Sequence, residues 1–72
     1  MSIEILLNGE KKEIHEGITL ADLITELNLI PERLAVEYNA RILKRANWEK
    51  TLIASGDKIE IVHLVGGGGT LF

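Results

Sequence analysis

A chain of 72 residues has room for one domain, and a single core of that size supplies only about 3–5 kcal/mol, which leaves little space for a deep catalytic pocket. The absence of cysteine excludes disulfides, thiolate metal sites and thiol nucleophiles. The net charge of −3 disfavours nucleic acid as a partner, because phosphate binding needs clustered cations.

In chain order, residues 3–7 (Ile-Glu-Ile-Leu-Leu) read as a strand, since β-branched and apolar residues dominate a short run. Asn8-Gly9 follows, a pair suited to the positive φ angles of a tight hairpin turn. Residues 11–15 form the return strand, with Ile14 as its core residue. Thr19 has the chemistry of a helix N-cap, and Asp22 stands at the capping-box position where Glu is more usual. Leu20, Leu23, Ile24 and Leu27 then repeat at the spacing of one helix face. The helix should end near Asn28, with Pro31 barring its continuation.

Residues 34–38 read as a third strand closed by a turn at Asn39-Ala40, and residues 41–43 as a short edge strand. Residues 44–50 are charged around Trp48 and suit a loop or a single helical turn. Ser55-Gly56-Asp57 signals a turn, and residues 58–65 are the last and longest strand, apolar enough to be central. The order predicts an α+β fold of the ubiquitin-like β-grasp type, a mixed sheet of four to five strands packed on one main helix. In that arrangement the first and last strands are parallel neighbours. The domain spans residues 1–65, and residues 66–72 form a flexible glycine tail that ends in a short extension at residues 70–72.

Chemistry is most visible at that end. Gly66, Gly67, Gly68 and Gly69 cost conformational entropy and offer no packing. They suit either a floppy stub or a chain end that threads into a narrow partner site and presents an unhindered carbonyl. They are not a phosphate loop, for no helix follows and no Gly-Lys-Ser/Thr is present. His15 and His63 lie on different strands without metal-ligand spacing, so no metal site is expected. No serine–histidine–aspartate set or carboxylate pair stands out, so no catalytic residue is assigned. Lys44, Arg45 and Lys50 surround Trp48, as a docking patch or, the favoured choice, as solvated neighbours of a tryptophan that caps the core. In the last strand Ile59, Ile61, His63 and Val65 alternate with Val62 and Leu64. One helix covers one face, so apolar residues beside the tail should be exposed for docking. Alternation does not say which set.

The first residues show neither a basic n-region nor an apolar h-region, so no signal peptide is expected. No apolar run approaches the roughly 20 residues of a membrane span. A cysteine-free domain held by packing alone suits the cytoplasm.

These residues resemble the bacterial ThiS family of sulfur carriers in thiazole (thiamin) biosynthesis. The likeness covers nearly the whole chain. It runs through Asn8-Gly9, the helix after Thr19, Val36-Glu37-Tyr38-Asn39, Arg45-Ala46-Asn47-Trp48, Gly56-Asp57, Ile59-Glu60-Ile61-Val62-His63 and Val65-Gly66-Gly67-Gly68. The resemblance implies a non-enzymatic carrier with no bound cofactor. A ThiF-type adenylyltransferase, using ATP, would activate the C-terminal glycine carboxylate. A sulfur donor such as a cysteine desulfurase would supply the sulfur of a thiocarboxylate, and a ThiG-type thiazole synthase would receive it. Val62, His63, Leu64, Val65, Arg45 and Trp48 are the partner-docking candidates.

Three features depart from the family pattern. Asn39-Ala40 stands for the usual Asn-Gly, and Lys44 replaces the proline that commonly precedes the arginine. The third is larger, for the chain continues past glycine as Thr70-Leu71-Phe72. A processing protease is therefore expected to cut after Gly69. Gly68 is the second choice, because that cut would discard Gly69. The alternatives are the same carrier chemistry in another pathway (molybdopterin, cysteine or a secondary metabolite) and a ubiquitin-like interaction module that is never activated.

Overall fold

The computed structural model describes residues 1–64 and 70–71. Strands β1 (Ser2–Leu7) and β2 (Glu10–His15) form the first hairpin, followed by helix α1 (Leu20–Glu26). A short 3₁₀ turn at Pro31–Arg33 leads into β3 (Leu34–Tyr38), which pairs with the two-residue β4 (Arg41–Ile42). A second 3₁₀ segment, Arg45–Lys50, replaces the expected loop or single turn. Strand β5 (Lys58–Leu64) closes the sheet in the order β2-β1-β5-β3-β4, and β6 (Thr70–Leu71) pairs with β5 off that path. Strands β1 and β5 are parallel neighbours, while every other pairing is antiparallel. This is the β-grasp arrangement.

Local chemistry explains where the elements start and stop. Thr19 Oγ1 accepts from the Asp22 amide at 3.1 Å, and Asp22 Oδ2 accepts from the Thr19 amide at 2.9 Å, so the shorter acid closes a complete capping box. At the other end Asn28 has φ +58°. Its amide donates to the Thr25 carbonyl at 3.0 Å, and the Leu29 amide donates to Ile24 at 3.2 Å. That pair of bonds is a Schellman stop, with asparagine in the left-handed place usually held by glycine. The helix ends by its own chemistry three residues before Pro31.

The helix lies on one face of the sheet. Leu20, Leu23 and Ile24 are buried against Ile5, Ile14, Val36, Ile59 and Ile61, one or two from each long strand. Each buried aliphatic side chain contributes about 1.5–3 kcal/mol relative to exposure. The set that alternation left open is thereby assigned. Ile59 and Ile61 face the helix, and Val62 and Leu64 occupy the outer face.

The tail departs from expectation at one point. Thr70 and Leu71, expected in a free arm, form β6, with Leu71 opposite His63 and Thr70 opposite Leu64. Val65, Gly66, Gly67, Gly68, Gly69 and Phe72 lie outside the described residues.

Both hairpin turns are two residues long with positive φ at both positions: +51° and +83° at Asn8-Gly9, +51° and +71° at Asn39-Ala40. Type I′ geometry demands this. Ala40 meets the demand with a Cβ, which costs about 1–2 kcal/mol in the left-handed region. Ala40→Gly should therefore stabilise the protein by about 1 kcal/mol, after the larger unfolded-chain entropy of glycine is subtracted. The midpoint of thermal unfolding should rise by roughly 4–8 °C. An unchanged or lower midpoint would show that the turn carries no such strain.

Candidate functional site

The glycine segment is appended to β5, so the site begins with how β5 is held. In a strand, alternate residues direct their N–H and C=O groups to opposite edges. On the β1 edge, the Asn8 amide donates to the Ile59 carbonyl at 2.9 Å. The Asn8 side chain then extends the ladder: its Oδ1 accepts from the Ile61 amide at 2.7 Å, and its Nδ2 donates to the Ile61 carbonyl at 3.3 Å. On the β3 edge, the Asn39 amide donates to Lys58 O at 2.7 Å, and Asn39 Oδ1 accepts from Lys58 N at 2.8 Å. Two turn asparagines thus stand in for strand backbone on either side of β5.

A polar cluster anchors the start of the same strand. Asp57 Oδ2 accepts from the Ala54 amide at 2.7 Å and from the Tyr38 hydroxyl, and its Oδ1 accepts from Asn39 Nδ2 at 3.1 Å. Partial burial alone would raise the Asp57 pKa. The bonds from Tyr38, the Ala54 amide and Asn39 outweigh it and hold the carboxyl below its ordinary value. Burial first, then the hydrogen bond and charge of Asp57, push the Tyr38 phenol up to about 12. At neutral pH both groups therefore keep the charge states this cluster needs.

The other end of β5 meets the tail. His63 is half-buried on the helix-facing side, Val62 half-buried on the outer face, and Leu64 exposed there at 48%. Ala35 lies opposite Val62, and Ile42, 70% exposed, lies opposite Glu37 on the same face. Carboxylates flank these apolar residues on one side, where Glu37 stands opposite Glu60. A second like-charged pair, Glu4 opposite Glu13, lies at the far end of the sheet, where the Gly56 amide donates to the Glu4 carbonyl. Like charges directly opposite one another disfavour pairing, so the fold tolerates this face rather than being stabilised by it.

Two docking candidates separate. Arg45 is exposed, with a guanidinium nitrogen 3.9 Å from Glu32, a surface pairing of little energetic weight. Trp48 is only 3% exposed, and its Nε1 donates to the Leu43 carbonyl at 2.9 Å. It closes the core under the 3₁₀ segment and has no surface to offer a partner. The groove between α1 and that segment, about 640 Å³, is lined by Ala21, Ile24, Thr25, Pro31, Arg45 and Trp48 among others, with no histidine and no pair of carboxylates. Among the described residues no group of three histidine, cysteine or acidic side chains is placed to hold a metal ion. No described helix is long and apolar enough to cross a membrane.

The model of the ThiS family matches residues 5–68, from β1 to the third of the four glycines. The chain belongs to the ThiS family. Members are small sulfur carrier proteins rather than enzymes. The crystal structure of the thiamine biosynthesis protein ThiS from Geobacter metallireducens superposes with a TM-score of 0.81 at 26% identity, covering 92% of this chain and 100% of that one. An uncharacterized protein, ycf40, of Trieres chinensis is 42% identical over 86% of this chain and 85% of its own length. A thiazole synthase of Magnetococcus marinus is 38% identical over 92% of this chain, which spans only 20% of that larger protein.

The structure brings together residues that the ThiS resemblance rests on but that sequence reading left apart. Tyr38, Asn39 and Asp57 form one hydrogen-bonded cluster. Asn8 and Asn39 were legible as turn residues, whereas their side-chain bonds to β5 were not. The predicted reactive glycine, Gly69, lies outside the described residues. In acid, the Asp57 cluster gives a signed expectation. A carboxyl held low when folded contributes stability that is complete above the unfolded value of about 4. That stability is lost as pH falls through the lower folded value. Asp57→Asn should cost about 1–3 kcal/mol at neutral pH, and urea unfolding of the two proteins should converge as pH falls below the ordinary carboxylate range. A difference that stays constant throughout acid titration would exclude this role for the carboxylate.

Proposed function

We propose that this ThiS-family chain carries sulfur for thiazole formation in thiamin biosynthesis, as a thiocarboxylate on Gly69 formed after residues from Thr70 onward are removed. The observation that supports it most directly is the placement of the glycine run. It follows a central strand pinned on both edges, so a side-chain-free arm leaves a rigid base. An arm without Cβ atoms can enter a narrow active site and leaves its carbonyl open to attack.

The chemistry belongs to partners. A free carboxylate is a poor electrophile. A ThiF-type adenylyltransferase would let it attack the α-phosphorus of ATP, expelling pyrophosphate and giving an acyl-adenylate. The persulfide of a donor such as a cysteine desulfurase would then displace AMP to give an acyl disulfide, and a second thiol would cleave its S–S bond, releasing the thiocarboxylate and leaving with the donor thiol as a disulfide. The tethered thiocarboxylate is a nucleophile delivered at high effective concentration. A ThiG-type synthase is the favoured acceptor, because proteins named thiazole synthase contain a segment similar to this chain, as in Magnetococcus marinus and Paramagnetospirillum magneticum. While Gly69 remains in a peptide bond there is no carboxylate to activate, so a processing protease completes the partner set. Cutting after Gly69 keeps all four glycines, and cutting after Gly68 loses one. Val62 and Leu64, apolar and flanked on one side by Glu37 and Glu60, form the docking face nearest the tail, suited to an apolar patch with cations along one border.

Incubation of the chain ending at Gly69 with ATP, a sulfur source and its cognate adenylyltransferase tests this. Mass spectrometry should find an acyl-adenylate and then one oxygen-to-sulfur exchange on the terminal glycine. Neither product from a folded, trimmed chain would leave an unactivated interaction module as the better description. On the docking face, Leu64→Lys should weaken binding to the adenylyltransferase by about tenfold, roughly the 1.4 kcal/mol of a lost apolar contact. Its thermal midpoint should be unchanged, because Leu64 is exposed. Equal binding would move the docking surface elsewhere.

A further inference from the structure

Strand β6 belongs to the extension that follows the four glycines, and it pairs with the end of the strand that precedes them. Strand β1 stops pairing with β5 at Leu7–Ile59. The Asn8 side chain covers the next outward-facing position, Ile61. The backbone groups of β5 that point to this edge recur at every second residue, so the next pair belongs to His63. Leu71 lies opposite it. By this alternation His63–Leu71 is the hydrogen-bonded kind of antiparallel pair, and Leu64–Thr70 the non-hydrogen-bonded kind. The chain is thus tied to the end of β5 on both sides of the four glycines. An arm that enters another protein must run away from its own domain, and the two courses exclude each other.

We propose that the pairing of Thr70–Leu71 with His63–Leu64 is an autoinhibitory contact, which keeps the glycine arm from the activating enzyme until the extension is removed. This rests on the carrier role proposed above and adds to it a regulation at the level of binding. The peptide bond after Gly69 already prevents adenylation. The hairpin acts earlier, by competing with docking of the arm, so that uncut chains do not occupy the enzyme. Its size fits a brake rather than a lock. Two residues of backbone pairing in water contribute modestly and open fast enough for a protease to reach the chain. The contact runs through main-chain groups, so the identity of the Leu71 side chain matters less than its N–H.

Four proteins test this: the full chain, Leu71→Pro, Leu71→Ala and the chain ending at Gly69. In the full chain, nuclear Overhauser contacts between the α-protons of Leu64 and Thr70 should report the hairpin. They should persist in Leu71→Ala and vanish in Leu71→Pro, which lacks the donor. Calorimetric titration with the cognate adenylyltransferase should show the trimmed chain binding about tenfold more tightly than the full chain, the equivalent of one or two net hydrogen bonds. Leu71→Pro should recover most of that gain with the extension still attached, and Leu71→Ala should not. Absence of the Leu64–Thr70 contact, or full-chain affinity equal to that of the trimmed chain, would overturn the proposal. So would a Leu71→Pro protein that binds as weakly as the full chain, since bulk rather than pairing would then be the obstacle. Failure of the trimmed chain to bind or be adenylated would instead remove the carrier role, and the brake with it.

Discussion

The fold depends on the completion of β5 by side chains that imitate backbone. β5 runs parallel to β1 for only two register positions, Leu6–Lys58 and Leu7–Ile59. A central strand paired so briefly along one edge would leave polar groups exposed at Ile61, beside the buried core. Asn8 prevents this, because its side-chain amide presents an N–H donor and a carbonyl acceptor side by side, as a peptide group does. Asn39 does the equivalent at the first residue of the strand. Both bonds come from residues at φ +51° in type I′ turns, so the turn conformation itself aims each side chain at β5. Glycine would adopt the turn with less strain but would leave the strand without its last partner.

Asparagine recurs at a third such position, Asn28, where it ends the helix. All three sites need a left-handed residue, and the first two also need an amide. This explains why the chain uses the residue after glycine most tolerant of positive φ. Asp57 extends the same economy to the strand's entry. One carboxylate gathers Tyr38, Asn39 and the Ala54 amide, and so fastens the turn before β5 to the β3–β4 turn.

Much of this was legible in the sequence. The helical spacing of Leu20, Leu23, Ile24 and Leu27, the Asn8-Gly9 turn and the apolar run of the last strand fixed the element order and the β-grasp topology. Local pattern reports local structure, and these are local signals. The unreadable features join residues far apart: Asn8 to Ile61, Tyr38 and Asn39 to Asp57, Leu71 to His63. A bond between distant residues leaves no periodicity. Trp48 lies on the legible side of this boundary. The sequence favours it as a core cap despite its charged neighbours Arg45, Glu49 and Lys50, and the 3₁₀ segment accomplishes this by exposing most of its residues while turning one inward. The choice between the two faces of β5 also required the helix to be placed, since alternation is symmetric until one face is covered.

Under the proposed function, the arrangement of β5 also explains how the extension can be held before removal at little cost. A fully paired central strand would offer no edge on which to fold back, and a fully unpaired one would be a site for unwanted strand addition. Here Asn8 covers one step of the edge and leaves the next to the chain's own Thr70–Leu71. The same short β1–β5 contact that requires Asn8 therefore also creates the resting place of the extension. Strengthening β1–β5 by lengthening β1 would remove that place, whereas losing Asn8 would loosen the end of β5 from which the proposed arm continues. The length of β1 thus bears on both the rigidity of the platform and the availability of the proposed brake, and a two-step gap would satisfy the two demands together.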